Sequence, residues 1–510
     1  MGLGKLMMSY IKKIFASPSK SSKLSEQEAK IKRSDGHEMN LDELFQGSGL
    51  GKTQFFLWGL QFLIALVHLS IYFMTTILIP YLRCEWGFNT WVEVAVGSAL
   101  PMSVAVSGVV AGNLADKVGR RMVLLVTTVF LAIGSIMIVV SPNVWVLLVA
   151  LIIQGICTGI AYPVCFVYSV EITASNNKEL AVMIVYLGQF GGVFLSTVSY
   201  FAINNIGWRY VVAVISCPFI VILIGLIMCP ETPRYLLVHG KGEEAIQSLK
   251  KIYEWNGDVF PKNCVSIKKS DIVEKAGKLL DIFSFEYRKP TILLTTTLFA
   301  NFYISLAFAA YLPLASENTK ESQNIYSAND TSCQNILDKK ALAGNIVAFF
   351  GDVLGVLLSG FLAKRVGRKF IVIGFSLLAL LCTIAGFFDL NQTVKMILNM
   401  LLRLVGTGLR YRIYLMTLEC YPTVLRSTAS TFIHSLGDAG GTVGSFLTYL
   451  LYPVSPESVV SLFVGAAAVQ LMASVFLNTE NKDLADHTKR ADSTGHDSQK
   501  DENYVLNRDF

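Results

Sequence analysis

Residues 112–121 read GNLADKVGRR and lie between two apolar runs, each long enough to cross a bilayer. A second version, GFLAKRVGRK, occupies residues 360–369 and is again flanked by two apolar runs. Each copy follows the second apolar run of its half of the chain and precedes the third, so the pair indicates an internally duplicated membrane domain. Its charged residues cannot lie in hydrocarbon, and we therefore expect this loop at the membrane surface.

The composition of the chain is typical of a polytopic membrane protein. Of its 510 residues, 53% are hydrophobic and only 16% are charged, which excludes an ordinary water-soluble globule. The formal net charge of +6 does not indicate nucleic-acid binding, because the lysines and arginines concentrate in loops on one side of the predicted membrane. We therefore expect a lipid bilayer as a partner and no nucleic acid.

Catalytic and cofactor motifs are absent from the sequence. It contains no P-loop, no HExxH or CxxC metal motif and no Ser-His-Asp grouping. The sequence therefore predicts neither an enzyme nor a bound cofactor or metal, and ATP is not expected to drive any transport.

Twelve apolar stretches have bilayer-spanning length. They lie near residues 56–80, 91–113, 122–140, 145–170, 180–203, 209–229, 291–314, 341–363, 370–388, 394–418, 427–451 and 458–477. This pattern predicts an all-α membrane protein with twelve transmembrane helices in two pseudo-symmetric six-helix bundles, residues 56–229 and 291–477. A linker with short helices, residues 230–290, separates the two bundles, since residues 243–253 and 271–285 have helical spacing.

Both termini are expected on the cytoplasmic side, because an even number of spans returns the chain to the side on which it began. Residues 1–55 and 478–510 are polar and have the composition of cytoplasmic tails. Basic residues in 117–121, 234–289 and 364–369 fall on that same side, as the positive-inside rule requires.

The loops on the opposite side carry signals for covalent modification. Asn329 and Asn391 begin Asn-X-Thr sequons, and both fall in predicted non-cytoplasmic loops, where glycosylation takes place. Cys84 and Cys333 also fall in such loops. These two cysteines either form a disulfide or remain free thiols.

The duplicated loop motif in a pattern of six plus six helices resembles the major facilitator superfamily. Residues 230–234, PETPR, directly follow the sixth span and resemble the PESPR signature of its sugar and organic-ion transporter branches. The stretches 78–91, 207–218 and 418–427 look most like the branch of synaptic vesicle protein two and its SVOP relatives, close to organic cation and anion transporters. The resemblance covers residues 49–484 and implies the major facilitator fold.

Ionisable residues inside the spans are candidates for a central solute or ion site, because a charge in hydrocarbon is costly unless it is paired or faces a cavity. Counted at about 1.5 Å per residue from the start of each span, four of them lie near the midplane, where alternating-access carriers hold substrate. With nearby polar residues, the predicted central cavity comprises His68, Asn301, Tyr303, Asp352, Arg403, Arg410 and Asp438.

Several of these residues have a second interpretation. In the alternative interpretation, Asp352 or Asp438 only neutralises Arg403. His68 either titrates and couples transport to protons, or makes a polar contact between helices. Arg410 lies nearer the cytoplasmic end, and it either lines an inner vestibule or extends its side chain to the membrane surface.

The sequence departs from the resembled pattern at positions that bear on coupling to protons and on selectivity for organic cations. Gln154 stands where many members of the resembled superfamily carry an arginine in span four. Asn301 and Tyr303 stand in span seven, which lacks the tyrosine pair expected of organic-ion carriers. Proton coupling and organic-cation selectivity are therefore not predicted from the resemblance alone.

A second group of charged residues lies at the cytoplasmic ends of the spans and is interpreted as a conformational latch. Asp116 can accept hydrogen bonds from a helix N-terminus and pair with Arg120, clamping the two bundles together. The alternative is that these basic loops only fix the topology, which we favour for the second copy, where Lys364 replaces the aspartate. The predicted latch comprises Asp116, Arg120, Arg121, Glu171, Glu231, Arg234, Glu419 and Arg426.

The sequence therefore predicts a monomeric secondary-active carrier. Its two bundles rock about a central cavity and move a small organic solute, with an organic ion and a coupled proton among the options, across a vesicular or plasma membrane. The alternative is a protein that keeps this fold but serves as a receptor, regulator or trafficking partner without transporting anything.

Overall fold

The computed structural model describes residues 41–49, 51–174, 177–261, 279–317, 339–363, 366–386, 388, 391–421, 423–452 and 454–477. Within these ranges the regular secondary structure is entirely helical. The helices of the first half are α1 (Leu41–Ser48), α2 (Lys52–Trp86), α3 (Thr90–Val118), α4 (Arg120–Val140), α5 (Val144–Glu171), α6 (Lys178–Ile206), α7 (Trp208–Ser216) and α8 (Pro218–Met228).

Two short helices and a 3-10 turn follow before the second half. They are α9 (Pro233–Val238), α10 (Gly242–Asn256) and the turn Leu279–Phe283. The second half contains α11 (Arg288–Glu317), α12 (Lys339–Ala363), α13 (Arg368–Ala385), α14 (Gln392–Cys420), α15 (Thr423–Leu451) and α16 (Pro456–Phe476). Helical structure therefore occupies all twelve predicted spans.

The sixth span differs from its prediction as one continuous helix. It consists of α7 and α8, which meet at Cys217 and Pro218. Proline lacks a backbone N–H and its ring collides with the preceding helical turn, so the start of a helix is the position where it costs no hydrogen bond. Membrane helices also accommodate proline in their interior, as α3 does Pro101 and α5 does Pro163. Pro218 is accordingly the first residue of α8.

The two halves repeat the same helix pairings. In the first half α2 packs against α6 and α3 against α5; in the second half α11 packs against α15 and α12 against α14. Contacts between the halves are made by α3 with α15 and by α6 with α12. The pairings agree with the prediction of two pseudo-symmetric six-helix bundles.

Glycine allows the closest of these helix pairs to form. A Cβ atom added at Gly159 of α5 would lie 2.4 Å from the carbonyl oxygen of Val104 on α3. At the corresponding pair in the second half, a Cβ atom on Gly355 of α12 would lie 2.1 Å from the carbonyl oxygen of Leu404 on α14. Without a hydrophobic driving force between helices in lipid, such close backbone packing is what holds membrane helices together.

Hydropathy separates the helices that face lipid from those that carry the polar interior. Nine helical stretches in the described part of the chain are long and apolar enough to cross a membrane. Of the remaining spans, α14 and α15 carry the ionisable residues Arg403, Arg410, Arg412 and Asp438. The outer faces instead expose large apolar side chains such as Phe130 and Ile136 on α4, as expected of a surface in contact with lipid.

Helices α9 and α10 lie at the end of the bundle that also carries residues 116–121, and we call this end the linker end. The sequence pattern in residues 243–253 is confirmed as helical, since it falls within α10. Of the second pattern, residues 271–278 lie outside the described residues, and the remainder includes the short 3-10 turn.

Helix α1 folds back onto the linker end, although its residues belong to the predicted N-terminal tail. Leu44 and Phe45 are each 1% exposed and pack in an apolar cluster with Leu249 and Ile252 of α10. The hydroxyl of Tyr253 donates a hydrogen bond to the carbonyl oxygen of Leu44 at 2.6 Å. This helix therefore attaches residues 41–48 to the linker.

Candidate functional site

Asp352 and Arg403 form a buried ion pair within the second half. Arg403 Nη2 on α14 donates to Asp352 Oδ2 on α12 at 2.5 Å, and Asp352 is fully buried. The hydroxyl of Thr407 donates to the other carboxylate oxygen at 3.2 Å. This geometry agrees with the interpretation in which Asp352 neutralises Arg403. The guanidinium of Arg403 also lies 6.0 Å from the ring centroid of Phe73 on α2, across the boundary between the halves.

Arg410 and Asp438 are two further ionisable residues of the predicted cavity, and their arrangement differs. Both are half-buried, on α14 and α15 respectively. Asp352 is the carboxylate that acts most on the charge of Arg410, and Arg410 acts in turn on the charge of Asp438. Neither forms an ion pair with an oppositely charged side chain among the residues that the structure describes. The guanidinium of Arg410 stacks 4.8 Å from the ring centroid of Phe302 on α11.

The first half contributes tyrosines to the same region. Tyr72 of α2 and Tyr162 of α5 both lie close enough to Asp438 of α15 for its charge to act on their hydroxyls. The hydroxyl of Tyr162 donates to Gln189 Oε1 of α6 at 3.0 Å. We call Tyr72, Tyr162, Gln189, Arg410 and Asp438 the polar centre. It draws on three helices of the first half and two of the second.

A layer of aromatic rings lies between the polar centre and the linker end. Phe166 of α5 packs on Tyr414 of α14 with ring centroids 4.8 Å apart, and Tyr186 of α6 packs on Tyr411 of α14 at 5.8 Å. All four are at most 2% exposed. The hydroxyl of Tyr411 also donates to the carbonyl oxygen of Glu179 in the first turn of α6, at 3.2 Å. We call these four residues the aromatic cluster; it joins the two halves.

The aromatic cluster was not among the residues predicted from sequence. Its signal is present nonetheless, because Tyr162 with Phe166 and Tyr411 with Tyr414 recur at the four- and three-residue spacings of one helix face. In an apolar span this spacing is also typical of ordinary helix packing, so it does not identify a boundary between bundles.

The remaining predicted cavity residues do not join the polar centre. His68 is 2% exposed and its ring lies 6.3 Å from that of Phe219 on α8, within the first half. Neither ring nitrogen has a hydrogen-bond partner among the described residues, so the proposed polar contact between helices is not formed there. Tyr303 belongs to an apolar cluster with Phe308. Asn301 is buried close to Gly406 of α14.

The predicted latch residues of the first half form one network at the linker end. Arg120 Nη2 donates to Asp116 Oδ1 at 2.7 Å, and its Nε lies 3.2 Å from Glu171 Oε2. The hydroxyl of Thr232 donates to that same oxygen of Glu171 at 2.7 Å. The network therefore connects the ends of α3, α4 and α5 to the PETPR segment.

Glu231 extends this network by accepting backbone hydrogen bonds. The N–H of Arg121 donates to both of its carboxylate oxygens at 3.1 Å, and the N–H of Thr232 donates at 3.0 Å. Burial raises the pKa of Glu231 above its ordinary value, and these N–H groups and Arg120 oppose the shift. Arg234 pairs with Asp42 of α1 at 2.7 Å. The clamp between the bundles that we predicted for Asp116 stays a prediction.

Some predicted residues lie outside the described part of the structure. Asn329 and Cys333 do so entirely, and nothing is described of the side chains of Cys84, Glu419 and Arg426. Asn391 is described and is exposed immediately before α14, at the end opposite the linker. Its glycosylation and the disulfide remain predictions.

Comparison with known proteins identifies the family. The family model described as sugar (and other) transporter matches residues 89–482. The chain belongs to this transporter family. It is therefore a multi-pass membrane transporter of the major facilitator superfamily and not an enzyme, as its loop motifs indicated. Its partners are the lipid bilayer and a small solute.

Relatives of this transporter agree with the branch that the sequence resembled. It is 24% identical over 463 residues to the synaptic vesicle 2-related protein of Xenopus laevis, covering 87% of this chain and 81% of the relative. It is 25% identical over 465 residues to the putative transporter SVOPL of Danio rerio, covering 87% and 89%. It is also 25% identical over 406 residues to solute carrier family 22 member 3 of Rattus norvegicus, covering 78% and 68%.

A solved structure supports the fold of this transporter. The proton:xylose symporter XylE, bound to 6-bromo-6-deoxy-D-glucose, superposes with a TM-score of 0.65. The two share 18% sequence identity, and the match covers 83% of this chain and 94% of XylE. The prediction of the major facilitator fold is confirmed.

Proposed function

We propose that this transporter is a secondary-active carrier that moves a small organic ion by alternating access. The observation that carries the proposal is the polar centre, in which Arg410 and Asp438 of the second half are half-buried and Tyr162 of the first half lies close enough for both charges to act on it. A charged side chain at this depth is costly unless it is compensated, and positions of this kind mark solute or ion pathways. The relative in solute carrier family 22 supports a carrier by its name.

The aromatic cluster supports the alternating-access part of the proposal. Its rings close the path from the polar centre to the linker end, since Phe166 and Tyr186 of the first half pack directly on Tyr414 and Tyr411 of the second. Release of a solute toward the linker end requires these ring contacts to separate. Aromatic pairs contribute about 0.5–1.5 kcal/mol each beyond their buried area, an amount that solute binding can offset.

The charge network at the linker end has a different part in this mechanism. Arg120 with Asp116 and Glu171 fastens three helix ends of the first half to one another. A half that moves as a unit transmits motion from the polar centre to the linker end. By the positive-inside rule, the basic residues support a cytoplasmic linker end with both termini on that side.

The driving force is an ion or solute gradient, because the sequence has no nucleotide-binding motif. One chain encloses a complete polar centre, so a monomer suffices for transport and nucleic acid has no part in it. The names of the synaptic vesicle 2-related relatives support a vesicular membrane, with the plasma membrane as the alternative.

Reconstituted transport tests this proposal. Purified full-length chain in proteoliposomes is assayed for uptake of radiolabelled organic cations, anions, zwitterions and sugars, in wild type and in Arg410→Gln and Asp438→Asn. We expect uptake of at least one charged solute, reduced tenfold or more in one of the two variants because the solute loses a charge contact; tenfold corresponds to about 1.4 kcal/mol. Glu457→Gln, which removes an exposed carboxylate at the start of α16, is the matched control.

The same assay separates a carrier from a receptor. A solute that stabilises the protein but is never accumulated, even with an imposed proton or sodium gradient, supports a non-transporting receptor instead. Uptake that neither substitution changes rules out the polar centre as the solute-binding site.

A further inference from the structure

His434 of α15 is a buried titratable residue that the polar centre does not include. It is 6% exposed, and its ring centroid lies 5.2 Å from that of Tyr414. Tyr414 is the member of the aromatic cluster that packs on Phe166 of the first half. The residue after His434, Ser435, meets Gly108 of α3. His434 therefore lies at the boundary between the two halves.

His434 also lies on the linker side of the polar centre. Two residues before it, Phe432 packs on Phe283 of the linker's 3-10 turn, with ring centroids 5.4 Å apart. Asp438 of the polar centre follows His434 by one helical turn on the same face of α15, and Ser430 precedes it by one turn. These three residues therefore follow the path from the linker end to the polar centre.

The closed linker end suits the uncharged form of the His434 ring. Nε2 of this ring has no hydrogen-bond partner among the described residues. A protonated ring carries an N–H donor on each nitrogen. Protonation in the closed arrangement would therefore bury both a positive charge and an N–H group without an acceptor, which is costly.

The elements that pack on α15 do not pair a carboxylate with His434 among the described residues. These elements are α3, α5, α11, α14, α16 and the 3-10 turn. Helices α3, α5, α11 and α16 carry acidic and basic residues only at their ends, and their tyrosines and cysteines are uncharged. Glu171, at the end of α5, pairs with Arg120, and Asp281 of the 3-10 turn is exposed.

The remaining charges around His434 come from α14 and from α15 itself. Arg410 of α14 acts on the ionisation of His434 and has the same sign as a protonated ring. Asp438 is the carboxylate on this face of α15, and Arg410 already acts on its charge. While His434 is neutral, two acids and two bases of the predicted cavity balance, namely Asp352, Asp438, Arg403 and Arg410. A proton on His434 would add a positive charge without a counter-charge.

We propose that His434 is a pH-sensitive switch of the linker end, which closes over the neutral ring and opens when the ring is protonated. The proposal rests on the proposed function and adds how the boundary between the halves is regulated. Opening withdraws α3 and Phe166 from α15 and Tyr414, so water reaches the ring and solvates its charge. Protonation therefore favours the open form, and acidification shifts the population toward it.

Site-specific labelling tests the proposal without requiring transport. Ser430 is buried, one turn closer to the linker end than His434, and Ser430→Cys in the full-length chain places a thiol there. Mass spectrometry follows the modification of this thiol by a water-soluble maleimide at about pH 7.5 and about pH 5.5, on either side of the ordinary histidine pKa. The same measurement is made after adding His434→Asn or His434→Gln. Because the reactivity of a thiol itself varies with pH, the rates are compared between backgrounds at each pH.

We expect the labelling rate with His434 present, relative to the rate in His434→Asn, to rise about tenfold between pH 7.5 and pH 5.5. This factor follows from one proton bound in the open form by a hydrated histidine with a pKa of about 6.5. His434→Gln should behave like His434→Asn, and melting temperatures establish that the variants are folded. An unchanged ratio between the two pH values overturns the proposal.

Two other histidines provide matched controls. His68 is also buried but packs on Phe219 within the first half, and His239 is exposed on the linker. We expect His68→Asn and His239→Asn to keep the acid response of labelling. Its loss in either control variant contradicts the assignment of the switch to His434.

The outcomes for the two proposals are distinguishable. Solute accumulation in proteoliposomes, together with labelling that does not depend on His434, supports the carrier and refutes only the switch. An acid response that requires His434, without accumulation of any solute, supports the switch and refutes the carrier.

Discussion

At the scale of single residues, the ion pair between Asp352 and Arg403 is expected to make the fold sensitive to the loss of either partner. Asp352→Asn or Arg403→Gln leaves one buried charge without its partner, which we expect to cost about 3–5 kcal/mol. The double variant removes both charges, so its loss is expected to be smaller than the sum of the two. Chemical denaturation in detergent measures the four free energies of unfolding. Additive losses would mean that the pair contributes no coupling.

Glu231 predicts the direction of a pH effect at the linker end. Burial raises the pKa of this carboxyl in the folded state, so folding favours the protonated form of Glu231. The free energy of unfolding that this preference adds is therefore complete below the ordinary carboxyl pKa and is lost as the pH rises through the raised value. Glutamine mimics the protonated form. We expect wild type to lose stability relative to Glu231→Gln as the pH rises above the ordinary carboxyl pKa of about 4, as measured by melting temperature. Glu457→Gln provides the exposed control, and the opposite slope contradicts the prediction.

Sequence identified most of the charged residues of the polar region but left open whether Asp352 or Asp438 is the partner of Arg403. Depth in the membrane follows from counting along a span, which is why Asp352, Arg403 and Asp438 were recognised together. The partner of each charge depends on how the helices are rotated about their axes and on which helices are neighbours. Counting does not give these rotations. For the same reason His68, predicted to lie in the cavity, packs instead on Phe219 inside the first half.

At the scale of elements, the close packing of α12 on α14 predicts different effects of alanine at two glycine positions. In Gly355→Ala the new Cβ atom would lie 2.1 Å from the Leu404 carbonyl oxygen, a backbone atom that cannot rotate away, so α12 and α14 must separate. We expect a loss of about 1–3 kcal/mol. Gly374 of α13 has nothing within 4 Å of its added Cβ atom. Gly374→Ala is therefore expected to be neutral or to stabilise by about 0.5–1 kcal/mol. Melting temperatures compare the two, and similar losses would refute the packing argument.

The existence of the helices could be predicted from hydropathy, whereas two of their details could not. An apolar span must be helical in lipid because every backbone polar group needs an internal partner, so twelve apolar runs give twelve helical spans. The break at Pro218 interrupts an apolar run without changing its hydropathy. Helix α1 has eight residues, too few to be stable alone, and its helicity depends on contacts with α10 that are distant in sequence.

At the scale of the whole molecule, the two halves meet along α3 with α15 as well as through the aromatic cluster. A Cβ atom added at Gly108 of α3 would lie 3.2 Å from Cβ of Ser435 on α15. Disulfides have Cβ separations of about 3.5–4.5 Å, so a small adjustment lets cysteines at these positions bond. A bond here would hold the two halves together at one point of their boundary.

The double variant Gly108→Cys with Ser435→Cys therefore tests whether the halves must move. We expect oxidation to abolish uptake of a solute that wild type transports, and a reductant to restore it.

The control pair is Ser376→Cys with Ser474→Cys. In wild type the two serine hydroxyl oxygens lie 2.8 Å apart, between α13 and α16 of the second half. A disulfide inside one half leaves rigid-body rocking intact, so uptake should persist. Mass spectrometry establishes that each bond has formed. Full uptake by the cross-linked Gly108→Cys and Ser435→Cys protein would refute movement of the halves at this boundary, because a covalent bond between α3 and α15 does not allow them to separate.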